Sequence, residues 1–251
     1  MGGIRSVSDV SGLGGLIGTS LVEARVSTLL SPVEPSALYW MGSPMLKARE
    51  NKVSKDAVSA LAPVPPVESL RYVTFGGTSR FRQAAMETAA MTILAIVRIP
   101  EATSGIATVC TNHNASTNEG ICLFLGRGST GAAFIQGRAG YATGAGSAAV
   151  NTNLYVLSGG SASIWKPIAM TLEPGVGIRM HDVANNSSSL TADTRTRALW
   201  SASMDIGLGP FNGGFDCAMF AVIPGALTAA QIATAFAKPR LYLAEIAGIS
   251  A

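Results

Sequence analysis

The sequence predicts an all-β protein: an antiparallel β-sandwich with one short C-terminal helix and an extended N-terminal arm. Three observations predict it. Short runs of β-branched, aliphatic and aromatic residues recur along the chain with clusters of Gly, Pro, Asn and Ser between them, the pattern of a sandwich. Only one segment, near the C-terminus, carries a full set of helix signals. A glycine-rich stretch at the start matches neither period. The 251 residues suffice for one large sandwich or two small domains. The chain divides into an arm, residues 1–35, and a sandwich, residues 36–251.

In the arm, Gly2, Gly3, Gly12, Gly14, Gly15 and Gly18 alternate with single apolar residues. A helix with so many glycines would be weak, and such a segment cannot form its own core. Pro32 and Pro35 end it. Leu38–Met41 reads as a strand. Residues 46–61 suit a helix or a solvated loop equally, closed by Pro63, Pro65 and Pro66. Tyr72–Phe75 reads as a strand running into a Gly76-Gly77 turn. Met91–Ile99 is the strongest strand pattern in the chain. Ile106–Thr111, Ile121–Gly126 and Ala132–Gly137 follow as strands. Ile164–Leu172 pairs through Glu173–Gly177 with Ile178–His181. Leu199-Trp200 and Met204–Gly207 precede the last strand, which runs from Phe215 to Ile223.

The helix is expected over residues 228–237. Thr228 is an N-cap with Gln231 three residues on, a capping box, and Leu227 and Ile232 can form a hydrophobic staple. Lys238-Pro239 should end it, because proline disfavours helical geometry in the residue before it.

Taken in order, these segments resemble laminin-G-like (concanavalin A-like) jelly-roll domains over roughly residues 36–243. The family pattern of a Phe-x-Gly-x strand followed by Leu-Thr/Ser-x-x-Glu/Gln-Ile is matched by Phe211–Val222 and Leu227–Ile232. Phe75-Gly76 and Met204–Gly207 match earlier strands. Ile96 stands where a tryptophan is common, and in Trp165-Lys166-Pro167-Ile168-Ala169 a lysine replaces the usual histidine. The resemblance implies a jelly roll with Trp165 as a core residue. It does not imply one activity, because the fold serves lectins, glycosidases, adhesion modules and virion proteins alike.

The residues themselves narrow the chemistry. A glycosidase needs two carboxylates flanking one bond. Asp205 and Asp216 are the only acidic residues on the late strands, and neither has a glutamate two residues away. There is no Gly-x-Ser-x-Gly, and His113 and His181 are the only histidines. Gly126–Gly131 matches a dinucleotide glycine pattern, but a strand follows instead of a helix, so a hairpin turn is expected. Asp182, Asn185, Asn186 and Asp193 could offer oxygens to calcium, which takes six to eight; their spacing is not diagnostic, and solvated loop residues are expected. No metal and no cofactor are expected, and the chain is not expected to be an enzyme.

Charged residues make up 13% of the chain, against about 25% in an ordinary domain. A net charge of +3 is too small and too scattered for nucleic acid. No apolar run reaches about 20 residues, so no membrane-spanning helix is expected. Met1–Val22 holds one basic residue and four interrupting glycines, a poor signal peptide, which points to synthesis in a cytoplasm. Three cysteines make no disulfide scaffold. Cys110 and Cys122 are expected to face each other across a hairpin centred near Ser116, as free thiols.

The expected function is that of a non-enzymatic structural protein of a phage particle: a decoration, fibre or tail-appendage subunit made in the cytoplasm of a bacterial host. Its arm, residues 1–35, would reach other virion subunits in a homo-oligomer, with a trimer as the expected closed unit. The alternative is a carbohydrate-binding module for a bacterial surface glycan. A sugar site would draw on loop residues Asn114, Asn118, Arg138 and Tyr141. A degenerate glycosidase is the third reading.

Overall fold

A computed structural model describes residues 30–251, apart from 42–47, 54–59, 62–65, 70, 77, 83–84, 101–104, 145–146, 162, 208, 212 and 245–247. Most of the arm (1–29), and residues 46–47 and 54–59 of the undecided segment 46–61, lie outside the described residues. The strands are β1 (Ala37–Trp40), β2 (Ala60–Leu61), β3 (Val67–Glu68), β4 (Val73–Phe75), β5 (Phe81–Arg82), β6 (Met91–Arg98), β7 (Ile106–Thr111) and β8 (Ile121–Arg127). They continue as β9 (Ala132–Gly144), β10 (Ser147–Ser161), β11 (Lys166–Glu173), β12 (Gly177–Asp182), β13 (Ser187–Ala192), β14 (Asp205–Ile206) and β15 (Phe215–Pro224). The helix α1 spans Ala229–Tyr242.

The strands form two antiparallel sheets packed face to face. The first runs β13-β12-β11-β6-β15-β4-β3, with β1 beside β4 on the same margin of β15. The second runs β10-β9-β8-β7-β14-β5-β2. Alternate side chains fill the space between them: Ile93, Ala95 and Val97 from β6 meet Leu123, Leu125 and Ile135 from the second sheet. The other face of β6 and β15 is also covered. Leu94, Ile96, Ala221 and Ile223 pack under α1 with Ile232, Ala235 and Phe236. The molecule therefore has three layers, with β6 and β15 buried on both faces. That is why Met91–Val97 is apolar at nearly every position instead of alternating. Leu30 joins the α1 layer, and Val33 packs against it.

The glycine that ends the Met204–Gly207 pattern has a steric reason. Gly207 sits at φ +101°, and a Cβ there would lie 2.4 Å from the Phe75 ring and 2.6 Å from the Ser79 carbonyl. Gly126–Gly131 forms the expected hairpin turn: Gly128 N–H bonds the Ala132 carbonyl and Gly131 N–H the Gly128 carbonyl.

Three expectations are corrected. The helix does not stop at Pro239, which lies inside it. The turn beyond the proline is held by tertiary contacts, with Tyr242 edge-on to Trp40 at 5.2 Å and Leu243 in the same cluster; this packing outweighs the lost N–H bond. Cys110 and Cys122 do not face each other. A bulge between Thr108 and Cys110 shifts the ladder, so Cys122 opposes Thr111 and Cys110 opposes Leu123. Cys110 consequently faces the inter-sheet core, while Cys122 contacts the Thr111 hydroxyl at 2.8 Å. All three thiols are free and buried. Burial pushes Cys122 up to about 11. Leu199-Trp200, read as part of a strand, lies in a loop.

The capping box is present. The Thr228 hydroxyl accepts from the Gln231 N–H, and the Gln231 side chain accepts from the Thr228 N–H at 2.9 Å. Thr228→Ala is expected to lower stability by about 1 kcal/mol. Chemical denaturation monitored by circular dichroism checks this; an unchanged midpoint would mean that packing alone fixes the helix start.

Candidate functional site

The expected acidic strand residues are both held by arginines. Asp205 in β14 stands in register with Thr111 and Arg82. It accepts from Arg80 Nη1 at 2.7 Å and from Arg82 Nε at 3.1 Å. Asp216 accepts from Arg98 Nε at 2.7 Å and from the Thr74 hydroxyl at 2.6 Å. The Arg98 guanidinium also lies over the rings of Tyr72 and Trp165, at 5.0 and 4.8 Å. Trp165 is thus buried, as the resemblance implies, but on the α1 side of the first sheet and not between the sheets.

The Asp205 pair opens onto a cleft of about 360 Å³ lined by Arg82, Thr111, Asn112, His113, Trp200 and Ser203, a size within the range of small-ligand pockets. Its floor is tightly bonded. Asn112 is buried. Its Oδ1 accepts from Ile121 N–H at 2.9 Å, and its Nδ2 donates to Glu87 Oε2 and to the carbonyls of Trp200 and Ala202 at 3.1–3.3 Å. Trp200 N–H donates to the same Glu87 oxygen at 3.2 Å. Glu87 is itself ion-paired with Arg197, and both side chains are buried. Burial pushes the Glu87 carboxyl up, against the pull of Arg197 and Asn112.

Trp200 is half-buried and lines the opening. The His113 backbone N–H bonds the Thr111 hydroxyl at 3.0 Å, while its side-chain Nε2 is buried without a protein partner. Burial, and then the charge of Arg138, hold His113 below its ordinary value, so the ring is neutral at pH 7. The cleft therefore combines an aromatic, the Ser203 hydroxyl and a carboxylate–guanidinium pair. This set can orient a polar ligand. Hydrolysis of a glycosidic bond would need a second carboxylate, and among the described residues the lining holds one, Asp205.

The expected sugar residues are only partly brought together. Asn114 and Asn118 bracket the β7–β8 loop next to His113, outside the cleft lining. Asn114 Oδ1 accepts from Ser116 N–H at 2.9 Å, and Asn118, at φ 61°, donates to the Ala148 carbonyl at 3.3 Å. Arg138 is not on a loop but in β9, opposite Cys122, over the rings of Phe124 and Phe211. Tyr141 is also a strand residue. It is buried between the sheets, with Arg195 and Arg197 over its ring, and has no face to offer a sugar. Asp182 and Asp193, weighed for calcium, hold Asn185 and Arg195 instead. Reading by sequence left Arg82, Asp205 and Asn112 outside the site. The alternate arginines Arg80 and Arg82 were the available signal, because both reach one strand neighbour.

No family model matches the sequence, and no curated protein matches it. Solved structures do match. The binding domain of botulinum neurotoxin serotype D is similar with a TM-score of 0.63 at 9% identity, over 85% of this chain and 53% of that one. The same domain in complex with N-acetylneuraminic acid is similar at 0.60 and 7% identity, over 82% and 51%. The binding domain of Paraclostridial Mosquitocidal Protein 1 is similar at 0.58 and 14%, over 82% and 52%. The chain spans about half the length of these structures. At such identities the likeness is one of fold, that of a two-sheet antiparallel β-sandwich.

Proposed function

We propose that this chain is a non-enzymatic carbohydrate-binding module that recognises a bacterial surface glycan as a decoration, fibre or tail-appendage subunit of a phage particle. The observation that carries the glycan reading is the cleft, where Trp200 stands beside the Asp205–Arg82 pair, His113 and Ser203. A pyranose has an apolar C–H face and a rim of hydroxyls. An indole suits the first, and a fixed carboxylate and guanidinium with the Ser203 hydroxyl suit the second. The fold supports the same reading, since one similar domain has been solved with a sialic acid bound. The particle setting is supported by the sparse charge of 13% and by the glycine-rich arm, residues 1–35. Residues 1–35 would contact other virion subunits.

A glycan array spanning bacterial surface polysaccharides tests the site. Binding is expected to at least one glycan, and Trp200→Ala is expected to weaken it at least about tenfold, as for a buried aromatic anchor, with unchanged thermal unfolding. No bound glycan, or a variant that binds as well as the parent, would remove the cleft from the proposal. Release of free sugar from a bound glycan would overturn the non-enzymatic part. Mass spectrometry of purified particles tests the setting, with the chain expected as a stoichiometric component.

A further inference from the structure

The margin of the second sheet carries an inference beyond the glycan reading. Among the described residues, β10 pairs with β9 alone, in unbroken register from Ala148↔Ala142 to Val156↔Phe134. Gly140 N–H bonds the Gly120 carbonyl, so even-numbered positions of β9 serve β8 and odd-numbered ones serve β10. Since Asn153 opposes Gly137 and Tyr155 opposes Ile135, the odd positions of β10 bond inward. Val150, Thr152, Leu154 and Val156 therefore turn their backbone N–H and C=O groups to the open side. Thr152 agrees, because its N–H is met by its neighbour Asn151 Oδ1 at 2.8 Å.

Open edges are normally defended by lysines, prolines, bulges or short length. Residues Ser147–Ser161 contain no charged residue and no proline over 15 positions. Leu154 and Val156 are 57% and 60% exposed on the outer face. The edge is also rigidly set. Inward-facing Asn153 donates to the carbonyls of Ile178 and Ser189 at 2.8 Å, and Ser189 Oγ donates back to it at 3.1 Å, which ties this margin to the facing sheet.

We propose that β10 is a seam between two copies of this chain, paired antiparallel about a two-fold axis at Leu154, so that the second sheets of both copies become one. The occupant is a second copy because an identical strand is the partner that this edge matches at every position. Antiparallel pairing of a strand with itself is the isologous two-fold arrangement. The edge carries no charge that the copy would leave unpaired, and Leu154 and Val156 of each copy would cover those of the other. The seam calls for a two-fold unit in place of the trimer expected from the arm.

Analytical ultracentrifugation of the full chain, with Leu154→Lys/Val156→Lys beside it, tests the proposal. The parent is expected to be a dimer. The lysine pair places like charges opposite each other at the axis, and the dissociation constant is expected to rise at least about tenfold with the melting curve unchanged. Leu154→Pro, which removes an outward N–H that an edge strand can spare, should do the same. The amides of Leu154 and Val156 should exchange more slowly in the dimer. A monomeric parent, or an oligomer indifferent to these substitutions, overturns the seam. So does a monomer that dimerises only after residues 2–29 are removed, because the chain's own arm would then hold the edge. Trp200→Ala should leave the dimer intact, which separates failure of the seam from failure of the glycan site.

Discussion

Arg197→Ala is expected to lower the unfolding free energy by about 3–5 kcal/mol, the usual loss when one partner of a buried ion pair is removed. Arg197 and Glu87 are both buried. The guanidinium also donates to the Gly140 carbonyl through Nε at 3.2 Å and lies over the Tyr141 ring at 5.5 Å. Without it, the Glu87 carboxylate keeps its bonds from Asn112 and Trp200 but loses its counter-charge. Burial already pushes this carboxyl up, and the variant should push it further, so that Glu87 folds protonated. A carboxyl whose folded value lies above its unfolded one supports folding below the unfolded value and loses that support as pH rises. The deficit of Arg197→Ala should therefore be larger at pH 8 than at pH 5. Urea titrations at both pH values check this. A loss below about 1 kcal/mol at both would mean that the pair fills space without holding the floor of the cleft. Trp200 should also report the change, since its N–H depends on Glu87.

The second large effect is acid destabilisation through His181. Its ring is buried on the outer face of the first sheet, with Nε2 3.1 Å from the Thr171 hydroxyl, against a small cavity shared with Ala229 and Ile232 of α1. Burial, and then Arg179, bring it down to about 4 from an ordinary 6.5. A histidine so depressed is neutral in the fold and protonated first in the unfolded chain. Its support is complete above about pH 6.5, declines as pH falls, and is gone near pH 4. The span corresponds to roughly 3 kcal/mol at 1.36 kcal/mol per unit. Other ionisable groups also change charge as the pH falls. The informative quantity is therefore the difference between the parent and His181→Gln, followed by thermal unfolding from pH 7 to pH 4. If the two curves stay parallel, His181 is solvated in the fold and this account of it fails.

What the sequence made legible was local. The cap at Thr228, the staple of Leu227 on Ile232 and the doubly buried run Met91–Val97 each announce themselves within a few residues. The errors arose where distant segments decide. A single bulged residue between Thr108 and Cys110 moved the cysteines to opposite faces, and hydrophobic pattern alone does not mark such an insertion. Contacts to Trp40 carried α1 past Pro239. Tyr141 lies in a stretch rich in Gly and Ala that suggests a turn, yet it is a core residue because β9 continues to Gly144. The cleft was the least legible part. It needs β5, β14 and β7 side by side and the loop at Trp200 folded onto Asn112, and these segments lie more than a hundred residues apart in part.

β15 has a consequence for how the chain comes off a ribosome. It is the strand next to β6 on one side and to β1 and β4 on the other, with Ala37 opposite Val222 and Phe75 opposite Phe215. Until residues 215–224 emerge, β1 has no ladder to join, and the apolar face of β6 meant for α1 has nothing beneath which to hide. The nascent chain must carry these sticky segments unpaired until then. Non-local pairing of this kind makes folding slow and exposes intermediates to aggregation. Completion of the sheet thus waits for residues 215–224 to leave the ribosome, and holdase chaperones would act on the species that precede it.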